Sequence, residues 1–513
     1  MTSHVARARP PHGRVELPPT RDITERWLVD AAYFPGGHAD ALYAPTTEGE
    51  IAAILRAHTA VLAIGAQSSL TGGATPAGGA LVSMERFDAL TIDAPARRAL
   101  CGAGVPLSRL RDEARPLGLF CAAAPTYDGA TIGGMAATNA AGAATFKHGT
   151  MRRAVEGLTA VLADGSVLEF RRGDAVAHAD GWFDVVRGDG TTARVPVPTY
   201  RDPDVPKCSA GYHAAPAMDL VDLFVGSEGT LGVVTEVVVA LTPTPSAQWT
   251  CWLPLPSEAR ALEIVAALRS AAHDAWRSGG AVGVDVPAIE WFDARCAALL
   301  RDDGADVRYG VPLPADVDAV LIFSADVTRD EDAALERLRT ILGPDADRLE
   351  VALPGDRARA ERFTAMREAV PMSVNHRIRD ARIVDPGVTK VAGDFVVPWD
   401  RFAESLDRYR AAFARRRLDA AIWGHVSDGN VHPNAIPRTA AETLAAKEAL
   451  LELAEWVVSV GGSPLAEHGV GRSPVKQAML RMLRGGRGVA EMRAVKRALD
   501  PAGKLAPGVL FPA

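Results

Sequence analysis

An α+β fold in two or three domains is what this sequence predicts, and three observations predict it. The chain has 513 residues, against roughly 150 per domain. Strand-like apolar runs and helical periodicities are mixed without strict βα alternation. Three loops of small residues, each behind an apolar run, fall before Pro243 and Pro245, which punctuate the chain.

Residues 1–37 are rich in Pro, Arg and Gly and read as an arm with little regular structure. Glu48 to His58 puts Ile51, Ile54 and Leu55 on one helical face. Thr46 or Thr47 caps it, with Glu50 three residues after Thr47 as a capping box requires. Val61 to Ile64 is a buried strand, ending in the loop from Gly65 to Pro76. Ala80 to Ser83 is strand-like, and Leu107 to Leu117 helical. A second small-residue loop runs from Pro125 to Gly142, before a strand at Leu158 to Leu162. Residues 171–205 read as an extended connection. The third loop, Gly226 to Gly232, sits between the apolar runs Leu220 to Val225 and Val233 to Leu241.

Beyond the prolines, strands are expected at Gln248 to Leu253, Ala319 to Ala325, Asp394 to Val397 and Ala420 to Trp423. Helices are expected at Ser257 to Ala275, Asp330 to Leu342, Asp400 to Arg416, Thr439 to Val460 and Val489 to Leu499. This divides the chain into an arm (1–37), a first domain (38–245), a second (246–470) and a closing segment (471–513).

Composition narrows the function. A net charge of −7 with 48% hydrophobic and 23% charged residues is that of an ordinary globular chain. No clustered basic face suggests a nucleic-acid partner. Five cysteines, none in a CxxC pair, argue against a disulfide framework, a zinc ribbon or an iron–sulfur cluster. They suit a reducing cytoplasm. No signal peptide and no run of about 18 apolar residues is visible, while peripheral contact with the inner membrane stays open.

The first loop lets backbone N–H groups approach a diphosphate, because glycine interposes no Cβ. It lacks the lysine of a Walker loop and the GxGxxG spacing of a Rossmann fold. Four segments carry a more specific signal: IGAQSSLTGG (64–73), PTYDGATIGGMAATNAAG (125–142), VEGLTAVLADG (155–165) and VGSEGTLGVVTEV (225–237). They resemble the FAD-binding domain of the vanillyl-alcohol-oxidase/PCMH superfamily. The resemblance implies two α+β subdomains around FAD, with a C-terminal α+β cap domain built on an antiparallel sheet. It assigns Gly65, Gln67, Ser68, Ser69, Thr71 and Gly72 to the pyrophosphate. Pro125, Thr126, Thr131, Gly133, Gly134, Ala137, Asn139 and Gly142 line pyrophosphate and flavin. Glu228, Gly229, Gly232 and Val233 cover adenine, ribose and part of the ring. Gln67 and Ser68 stand where some relatives tether flavin through His or Cys, so non-covalent FAD is expected.

The stretch WGHVSDGNVHPN (423–434) follows a strand and holds His425 and His432. The stretch GGSPLAEHGVGR (461–472) adds Glu467 and His468. Two His and a carboxylate suit a borderline divalent metal. Other catalytic use and a purely structural role stay open on residues alone. Both stretches resemble the C-terminal domain of the FAD-linked D-2-hydroxy acid dehydrogenases, whose patterns read approximately GHxGDxNxHxN and GGxxxxEHGxG. The resemblance implies His425, His432 and Glu467 as ligands to a divalent metal, zinc by preference, with His468 as base and Asn430 touching substrate. It implies that Arg367 and Lys390 hold the substrate carboxylate or line the flavin, a task that suits the planar fork of Arg. DPAGKLAPGVLF (500–511) resembles the segment by which relatives return to the FAD domain. Ser427, Pro433 and the stretch Asp385-Pro-Gly387 depart from the pattern and bear on substrate identity.

The activity implied is oxidation of a small anionic D-2-hydroxy acid such as D-lactate. Electrons leave through an external acceptor: a quinone, a cytochrome, an electron-transfer flavoprotein or oxygen. A homodimer is compatible with this reading. Rivals are another oxidase of the superfamily acting on glycolate, an alditol or a phenol, a metal-dependent hydrolase, and a non-catalytic flavin-binding subunit.

Overall fold

The structure is a computed structural model and describes residues 3–280, 282–327 and 330–512. Two sheets build the first part. One is four-stranded, in the order Thr20–Arg21, Ala41–Tyr43, Ala80–Ser83, Val61–Ile64, with the last two pairings parallel. Helix Glu48–Ala57 makes the crossover that parallel strands require. Its capping box is partly shifted: Thr47 accepts from the Glu50 N–H as expected, but Glu50 reaches back to the Thr46 N–H instead of Thr47's. Ile51, Ile54 and Leu55 are fully buried.

The second sheet has five antiparallel strands, in the order Val167–Arg171, Val155–Val161, Val233–Ala240, Arg98–Gly102, Leu90–Asp93. Its central strand Val233–Ala240 is almost continuously apolar because both faces are covered. After Thr242–Pro243 the chain enters the large antiparallel sheet at Ala247–Leu255. This sheet continues through Ala319–Val327, Asp285–Asp293, Ala420–His425 and Asn430–Ala435. The α+β class and the antiparallel sheet of the C-terminal part are therefore as the resemblance implies.

Several elements differ from expectation. The arm is built in: Val5–Arg7 pairs with Trp182–Val186 in a three-stranded sheet, and Arg9 reaches Glu48 at 2.7 Å. That same sheet places the hairpin Trp182–Val186 and Thr192–Pro196 inside the segment read as an extended connection. Alternation of buried and exposed residues in it is short and interrupted by glycines. Loop two is helical over Ile132–Ala137, capped by Thr131. Helix Arg357–Val384 and strand Asp285–Asp293 have no counterpart among the sequence expectations. The helix carries Pro371 inside it and the strand has no polar alternation, which hides each period.

The last helix, Pro474–Leu499, starts earlier than expected and bends at Gly485, whose φ of 67° is non-helical. The closing segment then lies along the outer edge of the four-stranded sheet. Val61 N–H donates to the Lys504 carbonyl and Ala506 N–H to the Val61 carbonyl, both at 2.8 Å. Among the described residues, no helix is long and apolar enough to cross a membrane.

Candidate functional site

The three small-residue loops converge. A Cβ on Gly65 of loop one would lie 2.1 Å from the Thr131 hydroxyl of loop two. Loop three hangs on loop two through Gly226 N–H to Ala136 O and Glu228 N–H to Ala137 O. The turn after His468 joins them: Arg472 N–H and Ser473 N–H both donate to the Thr71 carbonyl. There Gly471 is left-handed (φ 55°), and a Cβ would strike Thr71 O at 2.3 Å. Only glycine meets both demands.

Each loop also holds one non-glycine residue in the left-handed region: Gln67 (φ 52°), Asn139 (φ 49°) and Glu228 (φ 51°). Such backbone costs of order 1 kcal/mol and persists where surrounding structure fixes it. Here the residue's own side chain does so. The Gln67 amide donates to the carbonyls of Trp27, Val29 and Ala74. Asn139 Oδ1 accepts from the Arg152 N–H. The Glu228 carboxylate accepts from the Val470 and Gly471 N–H groups, at 2.8 Å each. Burial pushes its carboxyl up to about 7 against those two donors. All three were expected to contact the cofactor. Their side chains bond to protein groups and shape the loops.

Gly133, Gly142 and Gly232 are likewise close-packing positions, against Ala103, the Ala124 carbonyl and Ala160. Val233 is buried at the start of its strand. Ser69 accepts from the Gly73 N–H, and Gly72 N–H is held by Asp30 at 2.7 Å. Thr71 is buried, while Ala137 and Pro125 are half-buried. Open space remains at Gly229, a Cβ on Gly134 would meet only the Thr131 hydroxyl at 3.1 Å, and Ser68 and Thr126 are exposed. A cradle of glycines and hydroxyls without Cβ obstruction fits a dinucleotide such as FAD.

The C-terminal cluster is assembled by a hairpin. Strands Ala420–His425 and Asn430–Ala435 pair antiparallel, with His425 opposite Asn430 and His432 opposite Trp423. Glu467 then approaches both imidazoles: its Oε1 lies 3.4 Å from His425 Nε2 and its Oε2 3.8 Å from His432 Nε2. The His425, His432 and Glu467 donor atoms all lie within 4.8 Å of one another. His468 stacks at a tilt on His432, ring centres 5.3 Å apart.

Behind the imidazoles stand two carboxylates that sequence reasoning missed. Glu290 Oε2 is 2.9 Å from His425 Nδ1. Asp394 faces His468 Nδ1 at 3.2 Å and His432 Nδ1 at 3.6 Å. Asp394 also accepts the backbone N–H groups of Glu467 and His468. A carboxylate at Nδ1 keeps the proton there and leaves Nε2 as the lone-pair nitrogen. The Nε2 atoms of His425 and His432 both face Glu467, and His468 packs beside His432. Asp394, His432 and His468 also lie close enough to hold an ion together. Asp394 is already engaged by four donors, which leaves the Glu467 set as the better-matched one.

Burial works against charge throughout, and partners decide which groups keep it. For His425 burial lowers the pKa, but Glu290 and Glu467 raise it to about 9. For His432 burial prevails and lowers it to about 3. Glu290 is held down at about 2, against burial, by Arg367 and His425. Lys207, a third residue the sequence reading passed over, is fully buried, with Nζ 2.6 Å from Glu467 Oε1 and 2.7 Å from Asp428. It occupies one oxygen of Glu467 and leaves Oε2 toward His432. Among the described residues, the buried Asn434 Oδ1 and Asn430 Oδ1 and the Lys476 ammonium have no hydrogen-bond partner. With two Nε2 atoms and a carboxylate converging, these unmet polar groups fit a site for a divalent ion and a polar ligand.

Arg367 is not a solvated helix residue. Its Nε donates to Glu290 Oε1 at 2.6 Å and its Nη2 to Thr126 of loop two at 3.3 Å. Asn430 is fully buried and donates to the Phe395 carbonyl, so its amide nitrogen is used structurally. Lys390 has solvent on its side chain, yet the protein packed round it lowers its ammonium below the usual range. A lone charge inside an apolar run, as in AIEWF around Glu290 or GDFVV around Asp394, is the signal that would have found the missed residues, because unpaired charge is rarely buried.

Comparison with known proteins agrees with this geometry. A family model for the FAD binding domain matches residues 39–171, and one for the C-terminal domain of FAD linked oxidases matches 256–510. The chain is 29% identical over 504 residues to a D-2-hydroxyglutarate dehydrogenase of Xanthomonas citri pv. viticola, covering 96% of this chain and 91% of the relative. It is 28% identical over 482 residues to glycolate oxidase subunit GlcD of Bacillus subtilis, covering 92% and 89%. It is 27% identical over 479 residues to a D-lactate dehydrogenase of Archaeoglobus fulgidus, covering 90% and 89%. Among solved structures, an alkyldihydroxyacetonephosphate synthase shares the fold, with a TM-score of 0.58 at 16% identity over 91% of this chain and 77% of that one.

Proposed function

Since the chain belongs to the FAD-linked oxidases, we propose that it oxidises a D-2-hydroxy acid of the D-lactate kind to the 2-oxo acid. The observation that supports this reading is the convergence of two Nε2 atoms, from His425 and His432, on Glu467, with His468 stacked beside them and Arg367 joined through Glu290. The named activities of three full-length relatives point the same way.

Arg367 holds the substrate carboxylate through the guanidinium edge that Glu290 leaves free, with Lys390 adding positive charge. His468 takes the hydroxyl proton at Nε2, and Asp394 at Nδ1 stabilises the imidazolium that results. Bound FAD supplies the acceptor for the hydrogen and two electrons that leave C2. His425, His432 and Glu467 would hold a divalent metal, zinc by donor preference, which supplies Lewis-acid polarisation of the hydroxyl oxygen. The side chain of Asn430 contributes its unpartnered oxygen to the same polar wall.

This reading divides the chain into an FAD-binding part (38–245), a substrate part (246–470) and a closing segment (471–513). FAD is non-covalent, because Gln67 and Ser68 offer no tether. Electrons leave to an external quinone, cytochrome or electron-transfer flavoprotein met at the protein surface. A cytoplasmic setting suits five free, scattered cysteines.

Anaerobic mixing with D-lactate, D-2-hydroxyglutarate and glycolate is expected to bleach the flavin absorbance, with the L-isomers inactive. Bleaching by none of these, or only by phenols or alditols, overturns the assignment.

A further inference from the structure

We propose that Glu290 is a positioning residue that couples the metal-ligating His425 to the carboxylate-anchoring Arg367. The inference rests on the roles given to those two residues above, and adds that they are not independent.

Glu290 is 7% exposed and lies on strand Asp285–Asp293, directly opposite His425 in the sheet register. Its Oε2 is 2.9 Å from His425 Nδ1 and its Oε1 is 2.6 Å from Arg367 Nε. One buried carboxylate thus hydrogen-bonds Arg367 of helix Arg357–Val384 and lies at ion-pair distance from His425 of the hairpin, whose Nδ1 has no aligned hydrogen-bond partner. The strand fixes its backbone, so it cannot follow either donor alone. Lys207, Asp428 and Glu467 are occupied with one another on the far side of His425. No other described carboxylate pairs with Arg367.

A carboxylate shared this way is a limited resource. When a cation takes the Nε2 lone pair of His425, its Nδ1–H becomes a stronger donor and draws Glu290 toward the imidazole. The hold on Arg367 weakens by the same act, and its guanidinium is freer to pair with a substrate carboxylate. Linkage makes the effect mutual: whatever occupies Arg367 strengthens the metal site. Metal and hydroxy acid then favour each other beyond any contact between them.

The test uses the FAD-loaded full chain and Zn2+ alone, with no substrate, and reads Zn2+ affinity by competition with a chelating dye. Arg367→Met is expected to tighten Zn2+ by about fivefold, the lower end of usual coupling, although Arg367 is no ligand. Glu290→Gln is expected to weaken Zn2+ by about 10- to 100-fold. In the Glu290→Gln background the Arg367→Met gain is expected to shrink, because a direct charge effect of Arg367 would persist there whereas one carried by Glu290 would vanish. Retained FAD in each variant reports folding. Equal gains in both backgrounds overturn the coupling and leave the metal reading intact, as does an unchanged affinity in Arg367→Met alone. Failure of the unmodified protein to bind Zn2+ instead overturns the metal reading on which the coupling rests.

Discussion

Replacing Asp394 with Asn removes one buried charge at nearly constant volume. In the native protein one oxygen of Asp394 accepts the Glu467 and His468 N–H groups at 2.8 and 2.9 Å. Asn can preserve those two bonds only by placing its carbonyl oxygen there. Its NH2 then faces the Asn430 amide nitrogen and His432 Nδ1, where Asp394 Oδ1 stood at 3.3 and 3.6 Å. A donor at that spot forces His432 to carry its proton on Nε2, the atom required as a ligand. His468 meanwhile loses the anion that stabilises its protonated form. The charged contact with His468 Nδ1 at 3.2 Å is worth about 1.5–3 kcal/mol. Flavin reduction by saturating D-lactate should slow by about 10- to 10²-fold, measured anaerobically by rapid mixing. Bound FAD should stay near its normal level, since no loop contact is touched. A variant that reduces its flavin at the unmodified rate, with metal retained, refutes the assignment of Asp394 as the group that orders both rings.

Three further outcomes are expected. Elemental analysis is expected to find a bound divalent metal in the unmodified chain and none in His432→Ala, while the flavin spectrum of the variant persists. Glu228 has its folded pKa raised to about 7 by burial. The stability it lends is therefore full below its unfolded pKa near 4.5 and is lost as pH rises through 7, by at most about 3 kcal/mol. Relative to Glu228→Gln, the unmodified chain should weaken between pH 5 and 7 in denaturant titrations, and a pH-independent difference between the two would show the linkage absent. Lys147 bridges Asp285 and Asp326 at 2.7 Å each and is about four-fifths buried. Lys147→Met should cost about 2–3 kcal/mol, somewhat less than breaking a fully buried pair, read as a lowered melting temperature.

Motifs local in sequence were legible. The spacing of Ile51, Ile54 and Leu55, the Gly–hydroxyl loops and the pair His425 and His432 each declare themselves within a dozen residues. Even so, spacing alone left open whether a loop or a hairpin joined the two histidines, because register depends on a partner strand. Glu290, Asp394 and Lys207 were illegible for the same reason. Each belongs to the site through a neighbour far along the chain, 260 residues away for Lys207 and Glu467. The protein partners of the Gln67, Asn139 and Glu228 side chains were illegible for another reason. A polar residue in a glycine loop looks the same in sequence whether its side chain faces ligand or protein, and only the fold supplies its partner.

The closing segment's seat against Val61 bears on how the protein is made. Val61–Ile64 is the outer strand of its sheet, and on the ribosome its free amide and carbonyl groups stay open until residues 504–506 emerge. Lys504 Nζ also donates to the Leu55 carbonyl, 449 positions earlier in the chain. A domain nucleated first is thus completed last. Contacts of such high sequence separation fold slowly, and an uncovered edge invites pairing with other nascent chains. Chaperone demand and sensitivity to premature termination should accordingly concentrate on the part synthesised earliest.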